Sequence, residues 1–150
     1  MNIFDDRTTP AGTDAGLLVL RIGLAIVFLA HSVYLKLMVF TLAGTAGFFE
    51  SLGLPASLAY LVFGAEAIGG VLLITGLFVR PTALVLAVIS LGALWAHAGA
   101  GWLFSAEGGG WEYPAFLMIT SAVLILTGPG RLTVKALFRS NAAATTAVPA

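Results

Sequence analysis

The chain has 150 residues, of which 59% are apolar and only 9% charged, with a formal net charge of zero and a mean hydropathy of +1.03. A soluble domain is about 25% charged, so a fold of this composition could not cover its surface with polar groups, and its solvent must be lipid; the neutral balance also lacks the basic stripe that a nucleic-acid partner requires. There is no cysteine, which excludes disulfides, thiolate nucleophiles, Cys-ligated zinc and iron–sulfur clusters, and any redox role would have to borrow its electron carrier.

Met1 to Asp14 carries Asp5, Asp6 and Asp14 against Arg7. This is not the basic leader and short apolar core of a cleaved signal, so the first apolar run is read as a retained span. That run, Leu17 to Phe40, is broken only by Arg21, His31 and Lys36. Thr41 to Pro55 holds Gly44, Gly47, Phe48, Phe49, Glu50 and Gly53, a composition that fits a short interfacial helix resting on the headgroups or folding back between spans. Ala56 to Val79 is the second run, with Glu66 as its one charge. Arg80-Pro81 is expected to turn the chain, since proline suits the first turn of a helix and not its interior.

The third run, Thr82 to Phe104, holds His97. The fourth, Tyr113 to Thr127, is the shortest, and to span it needs Gly109 to Glu112 or some thinning of the bilayer, giving a span at about 110–128 that Gly128-Pro129-Gly130 stops. A span needs about 17–25 apolar residues, and none of these segments has the polar face of a helix in a soluble bundle. The expected fold is therefore all-α: one domain over 1–140, an integral membrane four-helix bundle with spans at about 17–40, 56–79, 82–104 and 110–128. Residues 141–150, small and polar, are expected to form a disordered tail.

Arg7, Arg80, Arg131, Lys135 and Arg139 flank one side of these spans, and Glu50, Glu107 and Glu112 the other. The positive-inside rule then puts both termini in the cytoplasm, with Trp102 and Trp111 in an aromatic belt at the outer interface.

Chemistry must come from polar side chains inside the membrane, where an ionisable group at a helix centre costs about 2.5–3.5 kcal/mol. At about 1.5 Å rise per residue, Glu66 falls near mid-span, His31 and His97 at matched depth in the outer half, and Lys36 and Glu112 near the outer interface. These five are the candidate members of an outward-opening polar pocket or proton relay. Each also has a structural reading. Arg21 snorkels to the cytoplasmic headgroups or forms a structural ion pair with Glu66; Lys36 anchors a helix end; the histidines bond to carbonyls or to hydroxyls such as Ser32; Glu112 caps a helix. Gly64, Gly69, Gly70 and Gly76 suit close helix packing or a homo-oligomer; they form no phosphate loop. Two histidines at one depth also fit a bis-imidazole haem, which needs facing rings and room for a porphyrin; one pair is weak support, and haem is not expected. No metal motif and no nucleophile–base pair is visible, so no catalytic residue is assigned and an independent enzyme is not expected.

The stretches LRIGLAIVFLAHSVYLKL, GTAGFFESLGLPASLAYLVFGAEAIGGVLLITGLFVRPTALVL and WEYPAFLMITSAVLILTGPGRLTV together resemble the DoxX family of small bacterial inner-membrane proteins. The resemblance runs from about Leu17 to Leu137. Its elements are Arg21, His31 and Lys36 in the first span; Glu66 before Gly69 and Gly70; Gly76, Leu77 and Arg80 at the turn; His97; Glu112; and Gly128 to Arg131. Ser32 stands where such proteins usually have glycine, and Lys135 near the place of an acid.

The resemblance implies a membrane subunit linked to thiosulfate:quinone oxidoreductase-type or oxidative-stress assemblies, partnered by the lipid bilayer and by a soluble oxidoreductase or another membrane subunit. A quinone held against His31, Glu66 and His97 is the cofactor this reading allows, since quinone reduction takes up protons that a buried carboxylate and imidazoles could relay. Two alternatives share the same residues: a small transporter or lipid-binding protein with an outward pocket, and a structural scaffold with its polar groups paired internally.

Overall fold

A computed structural model describes residues 9–138, and these are helical, with no strand among them. The first helix, α1 (Pro10–Leu29), starts well before the apolar run because Thr9 caps it: Gly12 N–H donates to Thr9 Oγ1 at 3.0 Å, and Pro10 occupies the first turn. It runs on without a break into a ten-residue π-helical segment, Ala30–Val39, which ends where Phe40 N–H donates to the Leu35 carbonyl at 2.8 Å. Thr41, at φ +62°, redirects the chain into α2 (Thr41–Ser51). Gly53 then turns it at φ +76° into α3 (Ala56–Thr75).

The turn after α3 is not made by Arg80-Pro81. Gly76 (φ +73°), Leu77 and Phe78 (φ +49°) make it, and α4 (Val79–His97) has already begun when Pro81 arrives. Pro81 fits there because the amides of the first helical turn have no carbonyl to reach. A single 3₁₀ turn, Ala98–Ala100, extends α4. The loop that follows is closed by Trp111 N–H on the Gly101 carbonyl at 3.0 Å and Glu112 N–H on that of Trp102 at 3.1 Å. The last long element is α5 (Glu112–Thr127). Arg7, Arg139 and the tail 141–150 lie outside the described residues.

Pro10–Val39, Ala56–Thr75 and Val79–Ala100 are long and apolar enough to cross a membrane, while α5 is equally apolar but has only 16 residues. Their side chains are distributed inside out. Ile26, Leu61, Val88 and Leu126 are between 60% and 77% exposed, while Arg21, Ser32, Glu66, Ser90 and Ser121 are buried. A water-soluble bundle has the reverse arrangement.

α1 packs on α3 and α5, α3 on α4, and α4 along α5, around a core that includes Leu24, Phe28, Leu73, Leu86, Leu117 and Leu124. Two adjacent glycines let α3 approach both neighbours. A Cβ on Gly69 would press on Leu86 of α4 at 3.1 Å, and one on Gly70 would meet Leu29 Cγ of α1 at 2.5 Å and the Ala25 carbonyl oxygen at 3.3 Å. α2 lies against α3 and the π-helical segment at the other end from the α3–α4 turn.

At the end where α1 begins and α5 stops, Arg21 acts as a fastener. Its guanidinium is buried and donates to the carbonyls of Pro129 at 2.8 Å and Leu132 at 2.7 Å, beneath Gly76. Asp14 accepts from Arg131 N–H at 2.8 Å beside it. The Gly-Pro-Gly-Arg stop of α5 is thereby tied to α1 and to the end of α3.

Two outcomes follow for stability in detergent, read by thermal unfolding. Gly70→Val should overfill the α1–α3 contact and cost about 1–3 kcal/mol, whereas Gly64→Ala, at a position with open space around it, should be neutral. Arg21→Met should take the donor from the part-buried Pro129 and Leu132 carbonyls and cost about 1–3 kcal/mol in all.

Candidate functional site

Glu66 lies on the face of α3 turned toward the π-helical segment, in the apolar stretch of the protein, and is almost fully buried. Its partner is Lys36: the ammonium donates to Glu66 Oε2 at 2.5 Å, with the lysine side chain 17% and the glutamate 5% exposed. The expected Arg21–Glu66 pair does not form, because Arg21 is engaged by Pro129 and Leu132 at the other end of α1. An ammonium has three N–H donors, and Lys36 gives one to Glu66, leaving two for other acceptors.

His31 belongs to the same cluster, since it stands on the π-helical segment that packs on α3 and carries Lys36. Its Nδ1 lies 2.9 Å from the Val27 carbonyl. A carbonyl can only accept, so this hydrogen bond puts the proton on Nδ1 and leaves Nε2 of the neutral ring as an acceptor. The opposite wall is Tyr113 of α5, whose ring stacks on the imidazole with centroids 5.8 Å apart and planes 27° from parallel.

The π-helical register explains how His31 and Lys36 come to one side of the segment, toward α3. In an α-helix of 3.6 residues per turn, side chains five apart point about 140° away from each other. The i→i+5 bonding of a π-helix widens the turn and brings residues five apart back toward one face. His31 and Lys36 are spaced that way, and the segment covers both.

The other two candidates belong to a separate structure, the loop between α4 and α5. His97 Nδ1 lies 2.9 Å from the Gly108 carbonyl, and Glu112 Oε1 accepts from Phe104 N–H at 2.9 Å. Trp102 and Trp111 close the loop edge to face, 4.5 Å between centroids. The five residues thus divide into an interhelical cluster of His31, Lys36 and Glu66 and a loop brace of His97 and Glu112. Each histidine is bonded to its own carbonyl. Among the described residues, no three His, Asp or Glu side chains come together as a metal site would need.

Tyr113 was not among the candidates from sequence. Its position directly after Glu112 puts it at the start of the last span, but that depth alone does not say which way its ring faces.

The family model named DoxX matches residues 16–99, a stretch that takes in Arg21, the π-helical segment, Glu66 and His97. Over 116 residues, 77% of this chain and 81% of the relative, the sequence is 35% identical to a protein of Bacillus subtilis (strain 168) named "Putative oxidoreductase CatD". No solved structure matches. A family match over more than half the chain, together with a relative of this identity aligned along most of both lengths and helices whose outer faces are apolar, makes this chain a membrane protein of the DoxX family.

Proposed function

We propose that this chain is a quinone-interacting subunit of a redox assembly in the bacterial inner membrane, without an independent catalytic activity of its own. The observation that carries this reading is the His31–Lys36–Glu66 cluster against Tyr113, a polar and aromatic group among helices whose outer faces are mostly apolar. The name of the Bacillus subtilis relative, an oxidoreductase, supports a redox setting. With no cysteine in the chain, the electron carrier of such a role is a borrowed one.

The residues fit such a ligand. A quinone needs an aromatic or apolar face for its ring and donors for its carbonyl oxygens, and it supplies two-electron chemistry coupled to proton uptake. Tyr113 and His31 offer ring faces, and Lys36 has N–H groups left after its bond to Glu66. Glu66 is the group that can take or release a proton at this depth, and Lys36 holds its charge when it is ionised. His31 Nε2 is a proton acceptor fixed in orientation by Val27.

The topology proposed with this function has four spans, with α5 as the fourth. At about 1.5 Å per residue its 16 residues cover about 24 Å, so the bilayer thins locally or the loop before Glu112 enters the headgroup layer. Phe116, Ile119 and Leu126 along its outer face support contact with lipid. Arg80, Arg131 and Lys135 share the end that holds the start of α1, which the positive-inside rule assigns to the cytoplasm. α2 then rests at the opposite interface.

Two measurements test this. Protein purified in mild detergent should release a quinone in near-stoichiometric amount on solvent extraction and mass spectrometry. Glu66→Gln and His31→Ala should release much less, and a preparation carrying only bulk phospholipid would remove the quinone from the proposal. The ion pair is tested separately by unfolding. Lys36→Met should cost about 3–5 kcal/mol by leaving Glu66 unpaired, and the double change Lys36→Met with Glu66→Leu should recover most of that stability while still losing the quinone.

A further inference from the structure

The turn between α3 and α4 opens a second feature, away from the polar cluster. A groove of about 320 Å³ runs between the two helices, lined by Ala65, Ile68 and Leu72 of α3, Pro81 and Val85 of α4, and Phe78. Its one hydroxyl is that of Thr82. Ile68 and Val85 are more than 45% exposed, so the groove faces outward over one half of the helix length, from Ala65 to the turn.

Phe78 stands at its mouth, 73% exposed and at φ +49°. A bulky L-residue rarely adopts that conformation, and here it places an aromatic ring outside the bundle at the end of the groove. The same end carries a surplus of positive charge. Arg80, exposed and two residues beyond Phe78, spends one N–H on the Leu126 carbonyl at 3.3 Å. Lys135 is also exposed, and it follows Thr133, which packs against the Gly76 position at the end of α3. Among the described residues, the acid at this end is Asp14, which is held by Arg131 N–H.

An apolar slot that reaches half-way across the protein and opens at the end of the bundle that carries the exposed Arg80 and Lys135 is complementary to an anionic amphiphile. We propose that the α3–α4 groove is a seat for an anionic phospholipid, with one acyl chain laid along Ile68, Leu72 and Val85 and the phosphate drawn to Arg80 and Lys135. Phe78 covers the first methylenes of that chain. The site uses none of the residues of the polar cluster, and it stands or falls independently of the quinone.

The test is lipid retention by native mass spectrometry of protein purified and exchanged into mixed micelles of phosphatidylglycerol and phosphatidylcholine. The wild type should retain phosphatidylglycerol about fivefold or more over phosphatidylcholine, given the attraction of one basic residue near an anionic headgroup. Arg80→Gln with Lys135→Gln should bring that ratio close to one. Val85→Trp, which fills the groove from its exposed side, should reduce retention of both lipids. Phe78→Gly, which the positive φ accepts without strain, should weaken retention while keeping the helical signal of the fold. Equal retention of the two lipids by the wild type would overturn the proposal. So would a phosphatidylglycerol preference that survives both the charge and the groove-filling changes, or a quinone found as the molecule that Val85→Trp displaces.

Discussion

A carboxylate among lipid-facing helices cannot be left alone, and that requirement organises much of this structure. Glu66 is almost fully buried, so its charge must be met by a cation held at contact distance or removed by a proton. Lys36 meets it at 2.5 Å. For the lysine to do so while His31 keeps its place near the same carboxylate, the first long helix abandons α-helical register over Ala30–Val39. The irregular Thr41 follows at once, with its φ of +62°, and α2 leaves in a new direction. The path of the chain from Ala30 to Ser51 can be understood as the consequence of placing two side chains of one helix before one acid of another.

The opposite end solves the same kind of problem with backbone instead of a carboxylate. Arg21 is buried, and its two terminal guanidinium nitrogens donate to the Pro129 and Leu132 carbonyls of the stop that follows α5, while its Nε is left without a partner. Gly76 is required there twice over. Its φ of +73° suits glycine, and a Cβ would lie 2.7 Å from the Arg21 Nη1. Between the two polar ends the helices are held by close approach, with Gly69 and Gly70 admitting Leu86 and Leu29. In lipid, packing of this sort and internal hydrogen bonds take over the role that the hydrophobic effect has in water.

What could be read from the residues follows this division. Composition and run length identify the apolar helices and the buried status of Glu66, because both depend on local chemistry. The partner of Glu66 does not. Arg21 and Lys36 lie on the same helix, and choosing between them requires knowing which end of α1 meets α3 at that depth. The π-helical segment is equally invisible, since its sequence, AHSVYLKLMV, has ordinary helical composition and the change of register is imposed by tertiary contacts. The start of α1 at Pro10 was legible through the Thr9–Pro10 cap, but an apolar-run reading looks past it to Leu17. His97 and Glu112 were placed by depth near the others, yet depth does not distinguish a side chain pointing into the bundle from one bracing a loop.

The character of the His31–Lys36–Glu66 cluster bears on why it is there. A buried ion pair contributes little net stability, and apolar residues of similar size in its place are often as good or better. A π-helix is a rare alternative to the α-helix, and a β-branched residue at positive φ is rarer still. Three unfavourable choices in succession, from Ala30 to Thr41, add nothing that leucines in a regular helix would not supply for packing. The Arg21 fastener differs in this respect, because it satisfies carbonyls that would otherwise be orphaned and has a sufficient structural reason. Costly local structure with no packing return is where strain and function coincide in proteins. The cluster, and not the fastener or the loop brace, is therefore the part of this fold on which a proton-coupled ligand is best sought.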